Sequence, residues 1–123
     1  MTIDSNILIA YLSGELAVVQ GLSHWKEAGT SFFLPTIVEA EVLSFAGWNH
    51  VERNNVEMFL EYEFVSVPFD RIASRIAAKI RRERAIKLPD AAIAATALYT
   101  RTALVTRNVR DFRNIHGLEV LSL

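Results

Sequence analysis

The sequence predicts a three-layer α/β/α domain built around a short, mostly parallel sheet of about five strands. Two observations carry that prediction. Short apolar runs alternate with stretches of helical period along the whole chain, and a strand–helix–strand order demands crossover connections, which suit parallel strands and cover a sheet on both faces. With 123 residues, 51% of them hydrophobic and 22% charged, the chain can bury one core but not two. A single domain over residues 1–123 is expected, with no repeats, linker or low-complexity tract.

The elements follow in order. Thr2-Ile3 is a short strand, and a helix runs from Asn6 to about Leu12. A second helix, roughly Glu15 to Ala28, stops at Gly29, since glycine readily takes the left-handed conformation that ends helices. Ser31 to Leu34 reads as a buried strand. Thr36-Ile37-Val38-Glu39 matches a capping box, with Thr36 as N-cap and Glu39 reaching back to its amide. A further helix covers about Val51 to Tyr62, and Phe64 to Val67 is a strand ended by Pro68. From Phe69 onward Phe69, Ile72, Ala73, Ile76, Ala77 and Ile80 recur at helical spacing, with Arg71, Arg75, Lys79 and Arg82 opposite. Pro89 opens a helix over Asp90 to about Arg101. Ala103-Leu104-Val105 and Glu119-Val120-Leu121 supply the last strands, with a turn over Thr106 to Asp111 between them.

Composition narrows the chemistry. There is no cysteine, which excludes disulfides, thiolate metal sites and a cysteine nucleophile and suits the cytosol. The opening Met1-Thr2-Ile3-Asp4-Ser5 carries an acid and no basic run, unlike a signal peptide. The longest apolar stretch, Ala91 to Tyr99 with one threonine, is too short to span a bilayer. A soluble cytoplasmic protein is expected. The formal net charge is −1, but it is unevenly spread. Residues 1–70 hold ten acids and two bases, residues 71–123 four acids and eleven bases, for nets of −8 and +7. Such asymmetry suits a basic surface for a polyanion beside an acidic pole for cations, unless the fold mixes the two.

Three carboxylates stand where an α/β sheet builds its ligand site, outside the carboxyl ends of the strands. Asp4 follows the first strand, and Asp90 opens a helix of small apolar residues. On a helical wheel Glu41 shares a face with Val38, Val42 and Phe45, which points it into the apolar side. Acids in such places are costly to desolvate, so several together usually mean a bound cation. Each has a plainer explanation: Glu41 could pair with an arginine, Asp90 could complement the helix dipole, and Asp4 could cap the first helix. Glu39 is assigned to capping. No Gly-x-Ser-x-Gly elbow, P-loop or dinucleotide glycine motif occurs. His24, His50 and His116 lack metal-ligand spacing. Arg81-Arg82-Glu83-Arg84 reads by default as a solvated helix end, with phosphate contact as the alternative.

Four blocks together resemble PIN-domain nucleases. They are Asp4-Ser5-Asn6, an acid in a helix near residue 40, Leu88-Pro89-Asp90-Ala91-Ala92-Ile93-Ala94-Ala95-Thr96-Ala97, and Leu104-Val105-Thr106-Arg107-Asn108 through Asp111-Phe112. The likeness is greatest to bacterial VapC-type toxins and covers essentially the whole chain in order. It implies an endoribonuclease dependent on Mg²⁺ or Mn²⁺, with Asp4, Glu41 and Asp90 as metal ligands. The family's fourth acid often follows the Thr-Arg pair directly, where this chain has Asn108; Asp111 lies three residues on, and either could complete the site. Phe45 stands where the family has a small residue, with Gly47 displaced. Thr106 would support the site, and arginines from Arg75, Arg82, Arg107 and Arg110 could meet the RNA backbone. The resemblance also implies a cognate antitoxin protein and a homodimer. The altered fourth position leaves one different class open: a catalytically silent module of the same fold that acts by binding RNA or protein. A metal-dependent aspartate phosphatase lacks its Asp-x-Asp pair, because residue 6 is Asn.

Overall fold

The computed structural model describes residues 1–123. The strands are β1 (Thr2–Ile3), β2 (Phe33–Pro35), β3 (Val65–Val67), β4 (Leu104–Val105) and β5 (Val120–Leu121). They form one sheet in the order β3-β2-β1-β4-β5 with every pair parallel. Seven helices join them: α1 (Ser5–Leu12), α2 (Leu16–Glu27), α3 (Thr36–Leu43), α4 (His50–Glu63), α5 (Arg71–Glu83), α6 (Leu88–Thr100) and α7 (Val109–Phe112). The chain steps outward from β1 through β2 to β3, then returns to lay β4 on the other side of β1. Right-handed crossovers therefore put α1–α4 on one face and α5–α7 on the other. The gap between β1 and β4 is the topological switch point, where open α/β sheets hold their ligands.

This winding turns the charge asymmetry of the sequence into a spatial one. The acidic residues 1–70 form β1–β3 with the first face, and the basic residues 71–123 supply α5–α7. The core lies between, with Ile3, Ile7, Leu8, Leu34, Ile93, Leu104 and Val105 almost fully buried. Along α6, residues 91 to 97 are all buried, five of them alanine. A helix so free of bulk can lie close against the sheet. It descends from Asp90 to Thr100, whose hydroxyl meets that of Thr2 at 3.3 Å at the start of β1. No single helix is long and apolar enough to cross a membrane.

Three local expectations are corrected. Thr36 is not an N-cap: β2 runs on to Pro35, Pro35 is the cap and makes no side-chain bond, and Thr36 begins the helix. The Thr36 hydroxyl instead accepts from the Phe69 amide at 3.3 Å. The reciprocal box exists one helix later, where Asn49 Oδ1 accepts from the Glu52 amide at 2.8 Å and Glu52 Oε1 from the Asn49 amide at 3.1 Å. On α5 only Ala73, Ala77 and Ile80 are buried. Asp70 caps that helix by accepting from the Ala73 amide, so Phe69 precedes it, and Ile72 points outward at 54% exposure. The stretch after β4 is not simply a turn, because residues 109–112 close the short α7.

Candidate active site

The floor of the site is a set of hydrogen bonds across the switch point. Asp4 ends β1 and caps α1, its Oδ1 accepting from the Ser5 amide at 2.7 Å. Asp4 is buried, with 4% of the residue exposed, and Oδ2 accepts from the Thr106 hydroxyl at 2.7 Å. Thr106, fully buried at the end of β4, also accepts from the Asn108 amide at 3.0 Å and from Asn6 Nδ2 at 3.3 Å. Asn6 completes the link by accepting from the Arg107 amide at 3.2 Å. Asp4 is therefore both the helix cap and the centre of the site. Its two roles do not compete, because they use different oxygens.

The other acids extend from Asp4 in two directions. Glu41, on α3, is held above its usual range first by desolvation and then by the charges of Asp4 and Asp90, with Ser5 opposing. Asp90, in the first turn of α6, is raised first by desolvation, then by Asp4 and Asp111, with Lys87 opposing. Like charges close enough to disfavour one another's ionisation are what a cation site looks like from its protein side. Asp4 and Asp90 act on Glu41, and Asp4 and Asp111 on Asp90, so the four carboxylates make one connected row of like charges. Glu41 is not turned into the core as the wheel suggests. It lies at the rim, beside the buried stripe of Val38 and Val42 rather than within it, exposed overall yet partly desolvated.

At the far end of the row Asn108 and Asp111 are joined to each other. Asn108 Nδ2 donates to Asp111 Oδ2 at 2.6 Å, and Asp111 acts on Asp90 after Asp4. Beside them an open cleft of about 490 Å³ brings Asp90, Asn108 and Asp111 together with Arg84, Lys87 and Arg110. Of the arginines expected near RNA only Arg110 borders this cleft. Arg107 pairs with Glu15 at 2.5 Å, and Arg75 and Arg82 lie on the exposed side of α5. At the Glu41 end the surroundings are apolar, with Ile9, Leu12, Val42, Phe45 and Trp48 lining a second opening. Phe45 and Trp48 meet edge to face at 5.1 Å. The Phe45 ring lies so close over Gly47 that a Cβ there would come within 2.4 Å of it. The displaced glycine thus accommodates the aromatic residue.

The donor set suits a hard cation, since it is all carboxylate oxygen with amide and hydroxyl support. No three acids already surround a common point. Mg²⁺ does not require that, because it keeps several waters and takes one or two carboxylates directly. Ser5 and Asn6 are the functional neighbours that the sequence left in the background. Their signal was adjacency to Asp4 in Asp4-Ser5-Asn6, legible only once β1 and β4 are known to be neighbours.

Comparison with known proteins settles the family. The PIN domain matches residues 1–118. The chain belongs to the PIN-domain family. This PIN domain is 33% identical over 135 aligned positions to Ribonuclease VapC1 of Rickettsia felis, across 100% of this chain and 96% of that protein. It superposes on a chain of the toxin-antitoxin complex from Klebsiella pneumoniae with a TM-score of 0.83 at 32% identity, covering 98% of this chain and 94% of that one. VapBC2 from Rickettsia felis, solved with a DNA fragment from its promoter, gives a TM-score of 0.84 over 99% and 97% of the two chains. At 20% identity that last similarity speaks for the fold alone.

Proposed function

We propose that this PIN domain is an endoribonuclease that hydrolyses RNA phosphodiester bonds with Mg²⁺ or Mn²⁺, and that it is the toxin of a toxin–antitoxin pair in the cytoplasm. The observation that carries this reading is the convergence of Glu41, Asp4, Asp90 and Asp111 at the switch point, with Asp4 fixed by Ser5 and Thr106 and with Glu41 and Asp90 raised by desolvation and then by the neighbouring acids. Full-length similarity to a protein named a ribonuclease supports it.

Asp4, Glu41, Asp90 and Asp111 would hold the metal, directly or through water. A bound ion supplies a water of lowered pKa and neutralises charge on the phosphate oxygens. Thr106 keeps the Asp4 carboxylate turned toward the site, and Asn108 does the same for Asp111. Lys87 and Arg110 border the cleft and receive phosphates of the RNA strand, positioning it without reading its sequence. Capture by a cognate antitoxin belongs to the same reading, supported by similarity to a chain of a toxin-antitoxin complex; homodimer formation is part of the proposal.

Incubation of a structured RNA with the purified protein and Mg²⁺ or Mn²⁺ should give cleavage that EDTA stops and Asp4→Asn abolishes. Metal-independent RNA binding without cleavage would instead favour the silent binding module. Expression alone should slow growth, and co-expression of the neighbouring antitoxin should restore it.

A further inference from the structure

Arg84 does not behave as the solvated end of a basic helix. It follows α5 in an extended conformation, and its guanidinium reaches across to the far end of α7. Nη1 donates to the Arg113 carbonyl at 2.6 Å and Nη2 to the Asp111 carbonyl at 3.3 Å. Nε is buried without a partner, and the ion pairs of the molecule, Lys26 with Glu63 and Arg107 with Glu15, leave Arg84 without an acid. A half-buried guanidinium spent on two backbone carbonyls, with one N–H left unpaired, is an unfavourable use of arginine unless those carbonyls must be held.

They must, because α7 cannot hold itself. Four residues are far below the length at which a helix is stable alone. Asn108 gives its amide end no side-chain cap, and Phe112 is its one buried residue. The last carbonyls of a helix have no partner within it, and an arginine side chain is a common way to satisfy them. Here that arginine comes from 27 and 29 positions earlier in the chain.

We propose that Arg84 is a positioning residue for the Asp111 end of the site: it fastens the carboxyl end of α7, and so fixes where the Asn108–Asp111 pair meets Asp90. The inference rests on the assignment of Asp111 to the nuclease site. Its planar fork matters as well as its charge, since lysine cannot present two fixed parallel donors.

The test combines Arg84→Gln, Arg84→Lys and Asp111→Asn with the Arg84→Gln/Asp111→Asn double variant. Arg84→Gln should lower kcat about 10- to 100-fold, the usual cost of losing a group that orients a metal ligand, with KM for RNA little changed. Arg84→Lys should lose most of the same. The double variant should be no slower than Asp111→Asn alone, within about twofold, because Arg84 acts through Asp111. Hydrogen exchange of the 109–113 amides, measured in EDTA, should be faster in Arg84→Gln. Multiplying losses, or full activity in Arg84→Lys, would overturn the proposal, as would unchanged exchange. If Asp111→Asn keeps its rate, Asp111 leaves the site and Arg84 loses its part in catalysis; unchanged exchange beside an impaired Asp111→Asn removes the clamp alone.

Discussion

The two halves of the acidic row are held by opposite means. At Asp4 each carboxylate oxygen is held by a neutral donor, the Ser5 amide on one and the Thr106 hydroxyl on the other, which leaves a further lone pair on each. At Glu41 and Asp90 burial and like charge dominate, and the groups are pushed toward their protonated forms. A carboxylate tied by neutral donors keeps its place whatever surrounds it. One that faces other acids is settled only when a cation arrives. The contrast separates residues that define the site's geometry from residues whose energy a ligand must supply.

The largest effect should follow from breaking the fixed half. Asp4→Asn should remove RNA cleavage by more than about 100-fold, beyond what loss of a supporting contact costs at a metal centre. It should leave the fold intact by circular dichroism, because asparagine caps helices as well as aspartate does. Substantial residual cleavage in a folded Asp4→Asn protein would remove Asp4 from the site.

Next in size is Thr106→Val, which keeps the shape and deletes the hydroxyl. Asp4 then loses a donor and the Asn108 amide an acceptor inside a closed environment. We expect a loss of about 1–3 kcal/mol by denaturant unfolding, with cleavage reduced about 10- to 100-fold. Thr106→Ser should recover most of both. The distal pair gives a graded comparison: Asp111→Asn should slow cleavage more than Asn108→Ala, since Asn108 acts only through Asp111. Equal, near-normal rates in both would show that three acids suffice.

The smallest effect, and the one with a distinctive sign, belongs to the strained half. Burial and the neighbouring acids raise Glu41 and Asp90 in the folded protein. As pH falls, the folded state therefore takes up these protons before the unfolded chain does, and stability rises. As pH rises through the same window it is lost. At neutral pH in EDTA, Asp90→Asn should melt no lower than the unmutated protein, and this advantage should vanish below the usual carboxylate range. Millimolar Mn²⁺ should raise the melting temperature of the unmutated protein but not of Asp90→Asn, since a cation bound only by the folded state stabilises it by mass action. A cost of about 0.3–1 kcal/mol with an unchanged metal response would reduce Asp90 to a charge at a helix end.

The sequence made legible the order of elements and the candidate acids Asp4, Glu41 and Asp90, with Asn108 or Asp111 for a fourth place, because strand and helix periods differ and because an acid beside an apolar run is conspicuous. Local rules failed where a boundary moved by a residue or two. The Thr36–Glu39 pattern fitted a capping box only if the helix began after Thr36, yet β2 runs on to Pro35 and takes that position. The wheel that buried Glu41 borrowed Phe45, which lies past the end of α3. Other features depended on distance in the chain. Nothing near Asp111 in sequence indicates that Arg84, 27 positions earlier, reaches its carbonyl. Nothing near Asp4 indicates that Thr106 lies beside it until the strand order is known.

Thr106 carries one further consequence. A hydroxyl has a single proton and two lone pairs. Here the proton goes to Asp4 and both lone pairs are taken, by Asn6 and by the Asn108 amide. The group has no torsional freedom left and no valence to offer a visitor. It cannot serve as a nucleophile, shuttle a proton or accept a hydrogen bond from RNA without dismantling three contacts at once. The residue nearest the heart of the site is thereby made chemically mute, and its whole contribution is to keep two strands and one carboxylate facing the same way.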